Sequence, residues 1–274
     1  QGTGLTSPTL VVQLHGPTRW TIEANGAFFT HEDQLLIDHL EKGAIKAADY
    51  VVSPSRYLVD WVGGNGFDLP EAQRVRVLKN VCSEIVREVS RSSRRPSAQR
   101  SEATDLVLFA RHEDRKGFSV FCDALDIVND TLAKRNVTVT MIGKMGGVDC
   151  QPSGVYLIDR SKKWSFNCKV RTGLDRSGAA EYLKSLNAPI VVVPSPYENS
   201  PYTVLETVAM SLPLISSTDG GGPELLEAGY PGLCEISADA LASKIQWAIE
   251  SGGLPPPRAA ESLVQIEDAW LEFH

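Results

Sequence analysis

Apolar positions along the chain fall into two alternating patterns. Short apolar or strictly alternating runs recur at 10–14 (LVVQL), 50–53, 74–78, 106–110, 137–142, 190–193 and 214–216. Between them lie stretches with an apolar residue at every third or fourth position, as at Leu36, Leu40, Ile45 and Ala48 in the segment 33–48. The runs read as strands and the spaced stretches as helices. Further helices are predicted over 57–62, 117–129, 179–186 and 203–210, from Pro223, and over about 238–250 and 259–272. Ser55 is placed as the N-cap of the 57–62 helix, and Gly63-Gly64-Asn65-Gly66 stops it. The breaker Gly252-Gly253-Leu254-Pro255-Pro256-Pro257 separates the last two helices. Alternating strand and helix units with uniformly apolar strands imply parallel sheets covered on both faces, an α/β fold. Ligands of such sheets bind beyond the carboxyl ends of the strands.

Length sharpens this plan, because 274 residues allow two domains. The expected division is a first lobe over 1–86, a linker or mobile loop over 87–104, a second domain over 105–258 and a C-terminal helix over 259–274 that crosses back to the first lobe. The linker reading rests on REVSRSSRRPSAQRSEAT, which is Ser/Arg-rich, contains Pro96 and has almost no apolar content. Its arginines have no interleaved aromatics, and the net charge is −7, so a solvated loop is favoured over a nucleic-acid arm. No apolar run approaches the roughly 20 residues needed to span a bilayer. Cys82, Cys122, Cys150, Cys168 and Cys234 are widely spaced with no metal-binding pattern, so free thiols in a reducing, cytoplasmic compartment are expected.

The densest chemistry lies in VVVPSPYENSPYTVLETVAMSLPLISSTDGGGPELL. An apolar strand ends at Val193, a loop carries Glu198, and a helix starting near Thr203 is expected to hold Glu206 in about its first turn. A strand feeding a helix start through a polar loop suits an anion, because the first-turn N–H groups are unpaired and the helix dipole is positive there. Asn199, Ser200, Pro201, Tyr202 and Thr203 occupy that junction. Two carboxylates beside it would repel phosphate, so their expected role is to accept hydrogen bonds from neutral hydroxyls of a sugar and a ribose. A nucleotide sugar makes both demands.

Glu198, seven intervening residues, Glu206, then Ala209, Pro213 and Gly220-Gly221-Gly222-Pro223-Glu224 resemble the E-x7-E region of retaining GT-B glycosyltransferases, especially glycosyltransferase family 4. A second match is the strand 106–110 running into Arg111-His112-Glu113-Asp114-Arg115-Lys116-Gly117, similar to the segment whose Arg and Lys hold the donor diphosphate. The resemblance places Arg111 and Lys116 there, where an Arg fork and a Lys point charge would stabilise a departing nucleoside diphosphate. Ala110 stands where the family commonly has Gly. A third match is His15-Gly16 after an apolar strand, which the resemblance puts near the donor sugar, with Trp20 as the one tryptophan retained as a sugar platform. Gly143, in the loop Gly143-Lys144-Met145-Gly146-Gly147, falls where the family faces the nucleotide, and Asn80 is a weaker interdomain candidate with Val81 in place of Gly.

The resemblance implies a GT-B-like chain of two Rossmann-like lobes with the N-terminal lobe incomplete, since only nine residues precede Leu10. It implies retaining transfer from a nucleoside-diphosphate sugar, UDP being the favoured base, to an unidentified hydroxyl acceptor. No metal and no further cofactor are expected, in line with the absence of Asp-x-Asp. Alternatives are a nucleotide-sugar epimerase or phosphorylase of the same fold, or a binding module with impaired turnover. An incomplete first lobe carries a further expectation, either self-association or a partner segment that covers an unpaired sheet edge.

Overall fold

The computed structural model describes residues 8–92 and 103–273. Contact density divides them into two compact units, one built from residues up to Asn80 together with the segment from Ile266, the other from Val81 to Gln265.

The first unit contains β1 (Val11–Gln13), α1 (Thr18–Ala24), α2 (Glu32–Ala47), β2 (Tyr50–Ser53), α3 (Arg56–Gly64) and β3 (Val75–Val77). Its three strands are parallel in the order β1-β2-β3. Trp20, Ile45, Val51, Leu58, Val62 and Phe67 form most of its core. Ser55 caps α3 as expected, its hydroxyl accepting from the Leu58 N–H at 3.2 Å. The short helix α1 was not visible in the apolar pattern. Its first N–H, on Thr18, donates to the Glu41 carboxylate at 2.9 Å, a long-range cap that local spacing cannot announce. Helix α2 departs from its expected amphipathic face. Ile45 and Ala48 are buried, but Leu36 and Leu40 are 56% and 59% exposed. Buried Asp38 takes the inward position instead, paired with Arg19 and Lys42, each at 2.9 Å.

The second unit begins with α4 (Glu84–Ser92) and continues through β4 (Asp105–Phe109), α5 (Phe118–Ile127), α6 (Asn129–Lys134) and β5 (Thr138–Ile142). A two-strand ladder, β6 (Gly147–Val148) with β7 (Gln151–Pro152), leads into α7 (Ser153–Ser161), β8 (Cys168–Arg171) and α8 (Arg176–Ser185). Then come β9 (Pro189–Val193), α9 (Tyr202–Ala209), β10 (Leu214–Ser217), β11 (Leu233–Cys234) and α10 (Ala238–Glu250). The sheet order is β11-β10-β9-β4-β5-β8 and every pairing is parallel. Strand β9 is buried along its whole length, as a two-sided parallel strand should be. The final helix, α11 (Leu263–Phe273), returns residues from Ile266 onward to the first unit. There Phe273 meets Tyr50 edge-on with ring centroids 5.8 Å apart, and the Trp270 indole N–H donates to the Lys79 carbonyl at 2.9 Å.

Several boundaries differ from the sequence reading. The unit boundary falls after Asn80 rather than after residue 86, and the expected linker begins as helix, because α4 packs Val86 into the second core and Ser90 donates to the Ala209 carbonyl at 2.6 Å. The rest of the expected linker up to residue 102 lies outside the described residues. The helix expected from Pro223 is only a 3-10 turn, Pro223–Leu225. The 117–129 helix breaks at Val128 into α5 and α6, and the last helix starts at Leu263 instead of 259.

Candidate functional site

Two loops meet at the carboxyl ends of the central strands β4 and β9. The first leaves β4 through Ala110 and Arg111, forms a 3-10 turn over Asp114–Lys116 and enters α5 at Gly117. Gly117 has φ +71°, and a Cβ there would collide with the Pro194 carbonyl. Only glycine lets this turn lie against the end of β9. The turn so placed brings the Lys116 ammonium onto the Glu198 carboxylate, both side chains being largely shielded. Gly143 plays the same steric role one strand over. With φ +155°, its missing Cβ leaves room for the Ala110 carbonyl.

The second loop, after β9, is fastened from below by the glycine turn. The Gly221 N–H donates to the Glu198 carbonyl at 2.8 Å, and Gly220, at φ +81°, would place a Cβ 2.6 Å from that oxygen. Thus the Gly-Gly-Gly motif holds the backbone of Glu198. Pro201 precedes α9 as its N-cap residue and, being proline, offers no capping side chain of its own, while its carbonyl accepts from the Val204 and Leu205 N–H groups. Asn199, Ser200 and Pro201 are buried, Thr203 is half-buried and Tyr202 is 45% exposed.

Glu206 is the fifth residue of α9, just past its first turn because the helix starts at Tyr202, one residue earlier than expected, and it is buried. Burial pushes its carboxyl above the usual range, while the positive charge of Arg176 acts in the opposite sense. Arg176 sets its Nε 3.1 Å from Glu206 Oε1.

A family model described as "Glycosyl transferases group 1" matches residues 89–262, more than half of the chain. The chain belongs to that family. No curated protein matches it by sequence. Among solved structures, sucrose-phosphate synthase from Thermosynechococcus elongatus is similar with a TM-score of 0.64 and 18% identity over 88% of this chain and 59% of that one. HepE from Anabaena, solved in complex with UDP and glucose, gives 0.66 and 18% over 97% and 71%. TarM gives 0.63 and 16% over 99% and 51%. The neighbours are GT-B glycosyltransferases, and the chain has their α/β fold with parallel sheets while spanning about half to seven-tenths of their lengths.

Within this chain the candidate residues are not all gathered. Lys116, Glu198 and the start of α9 come together in the second unit. Arg111 is also there, but its side chain is 54% exposed and its guanidinium pairs with Glu113 at 3.0 Å, a carboxylate shared with Arg115 at 3.1 Å. His15 is exposed in the first unit, just beyond β1. Trp20 is no sugar platform. It is 6% exposed in the first core, and Gly16, at φ +124°, leaves space for its ring. Asn80 closes the first unit just past β3 and is half-buried.

Two residues escaped the sequence reading. Arg176 stands at the first position of α8 with its guanidinium 5.7 Å above the Tyr202 ring, and no motif spacing connects it to Glu206. His112, between the motif residues Arg111 and Glu113, is fully buried and stacks on Phe118 with centroids 4.7 Å apart. Neither ring nitrogen has a hydrogen-bond partner, and burial pulls its pKa down to about 4. Among the described residues, no three His, Cys, Asp or Glu side chains cluster as a metal site.

Proposed function

We propose that this chain is the donor-binding part of a glycosyltransferase that moves a sugar from a nucleoside-diphosphate sugar to a hydroxyl acceptor with retention of anomeric configuration. The observation that carries the reading is the Lys116–Glu198 contact, which joins two family motifs at the carboxyl ends of the two central strands. The positive charge of Lys116 and Arg111, with the positive dipole end of α9, offers the diphosphate a binding site. That charge stabilises the leaving group as its negative charge grows, without a metal ion being required. Glu198 accepts from donor-sugar hydroxyls and Glu206 from the ribose diol. Gly143, Asn199, Ser200, Pro201, Tyr202 and Thr203 supply the walls and backbone of the nucleotide site, and His15 is assigned to the sugar. The UDP in the HepE structure supports UDP as the first base to try. The free cysteines are consistent with a reducing, cytoplasmic setting.

Titration calorimetry of the 274-residue chain with UDP, GDP and ADP tests the reading. One of them is expected to bind, and Glu206→Ala to weaken that binding by about 1.5–3 kcal/mol, the range for hydrogen bonds to a charged group. Unchanged affinity in the folded variant removes Glu206 from the site. No binding of any nucleoside diphosphate removes the donor assignment itself.

A further inference from the structure

We infer that Arg176 is a positioning residue for the nucleotide, holding the Glu206 carboxylate ionised and oriented for a ribose diol. This rests on the reading of Glu206 given above and adds a residue that lies outside the family motifs matched in the sequence.

Glu206 is 5% exposed, and an isolated carboxylate at that depth tends to take up a proton instead of remaining charged. A protonated carboxyl would still meet a hydroxyl, but without the charge assistance that makes such hydrogen bonds strong. Arg176 supplies the compensating charge at 3.1 Å. Its side chain is 52% exposed, so the guanidinium is not a core element, yet two contacts define its place, the carboxylate on one side and the Tyr202 ring on the other. Tyr202 is the first residue of α9, so Arg176 links the start of the anion-binding helix to the carboxylate one turn further along. The chain pays little structurally for this arrangement. Helix α8 is capped by Asp175, which accepts from the Gly178 N–H at 2.8 Å, so its start does not depend on Arg176.

The charged and titratable neighbours of this position are few. Helix α4, which packs against α9, carries Glu84, Arg87, Glu88 and Arg91, and the segment before it carries Cys82, whose thiol is pushed up to about 11 mainly by burial and further by Glu206, while Arg87 and Arg176 act on it in the opposite sense. Strands β9 and β10 bring no charged side chain. Loss of Arg176 therefore removes the counter-charge nearest to Glu206, its carboxyl pKa rises further, and the protonated form appears at higher pH.

The test measures affinity for UDP, GDP and ADP and for their 2′,3′-dideoxy counterparts, across pH from about 8 to about 5.5, in the wild-type chain, Arg176→Gln, Arg176→Lys and Glu206→Ala. Arg176→Gln is expected to weaken binding of the preferred ribonucleotide by about tenfold, with the deficit growing as pH falls. The dideoxy compound, lacking the diol, should bind both proteins alike. Arg176→Lys should restore most of the affinity and the wild-type pH profile. A deficit that is independent of pH and equal for the dideoxy compound overturns the inference and marks Arg176 as a general contact. If Glu206→Ala binds like wild type, or wild type ignores the diol, the reading of Glu206 falls and this inference with it. If those controls hold and Arg176→Gln is silent, the inference alone fails.

Discussion

Lys116 and Glu198 stand 82 positions apart and meet because a glycine between β4 and α5 lets the turn carrying Lys116 press against Pro194. Neither charge is well solvated, so each depends on the other until a substrate arrives. A diphosphate would draw Lys116 toward itself as the leaving group gains charge. Lys116→Ala is therefore expected to lower the rate constant for release of nucleoside diphosphate by about a hundredfold, while affinity for the sugar part changes less. Single-turnover kinetics beside calorimetry would show the split, and equal losses in both would assign Lys116 to ground-state binding alone. His112 behaves differently, because it is buried, neutral and stacked on Phe118. Its folded pKa of about 4 lies below the ordinary histidine value, so the unfolded chain binds the extra proton more readily. Stability from this residue is fully present above about pH 6.5 and is lost as pH falls through about 4, amounting to about 3 kcal/mol. Denaturant titrations at stepped pH should show that slope in the wild type and a reduced one in His112→Phe, which keeps a ring for stacking.

At the scale of elements, legibility in the sequence followed burial. Strands β4 and β9 were readable because both faces are covered and their residues are almost all apolar, and β5 and β10 because their apolar residues and small polar ones are buried together. Strand β8, CKVR at the sheet edge, exposes Lys169, Val170 and Arg171 and carries too little apolar content to stand out. The segment between β5 and α8 also hid a two-residue ladder and helix α7, whose apolar run at 155–158 has no helical spacing and buries Leu157 while Val155 and Ile158 stay exposed. Helix α4 was lost in the Ser/Arg-rich stretch, although Val86 and Val89 three positions apart give it a narrow apolar stripe. The site was legible where it depends on local motifs, as with Gly117, Lys116, Glu198 and the glycine turn. Arg176 was not, since its partner comes from another helix and only the packed sheet brings them together. If α4 is part of the second core rather than a linker, Val86→Ala should destabilise the second unit by about 1–3 kcal/mol. Urea unfolding followed by tryptophan fluorescence would measure it, and a change within error would return this segment to the status of a loose connection.

At the scale of the molecule, the two units are unequal. The second encloses a large apolar core beneath six strands, whereas the first has three strands and a small cluster around Trp20 and Val51. Strand β1 pairs with β2 on one side and, among the described residues, with nothing on the other. Leu10 and Val11, at that strand, are 45% and 43% exposed, and elsewhere in the first unit α2 presents Leu35, Leu36, Ile37 and Leu40, each more than two-fifths exposed. An open strand edge and exposed apolar side chains both favour association. A net charge of −7 opposes close approach of two copies, and salt screens that repulsion. The chain is therefore expected to self-associate with rising concentration, more strongly at higher ionic strength, and sedimentation velocity over a concentration series would follow it. Leu36→Glu with Leu40→Glu should shift the equilibrium toward monomer without touching the second unit's nucleotide affinity. A chain that stays monomeric at high concentration and high salt would show that the apolar side chains of α2 are quiet despite their exposure, and that the open edge of β1 does not pair between copies.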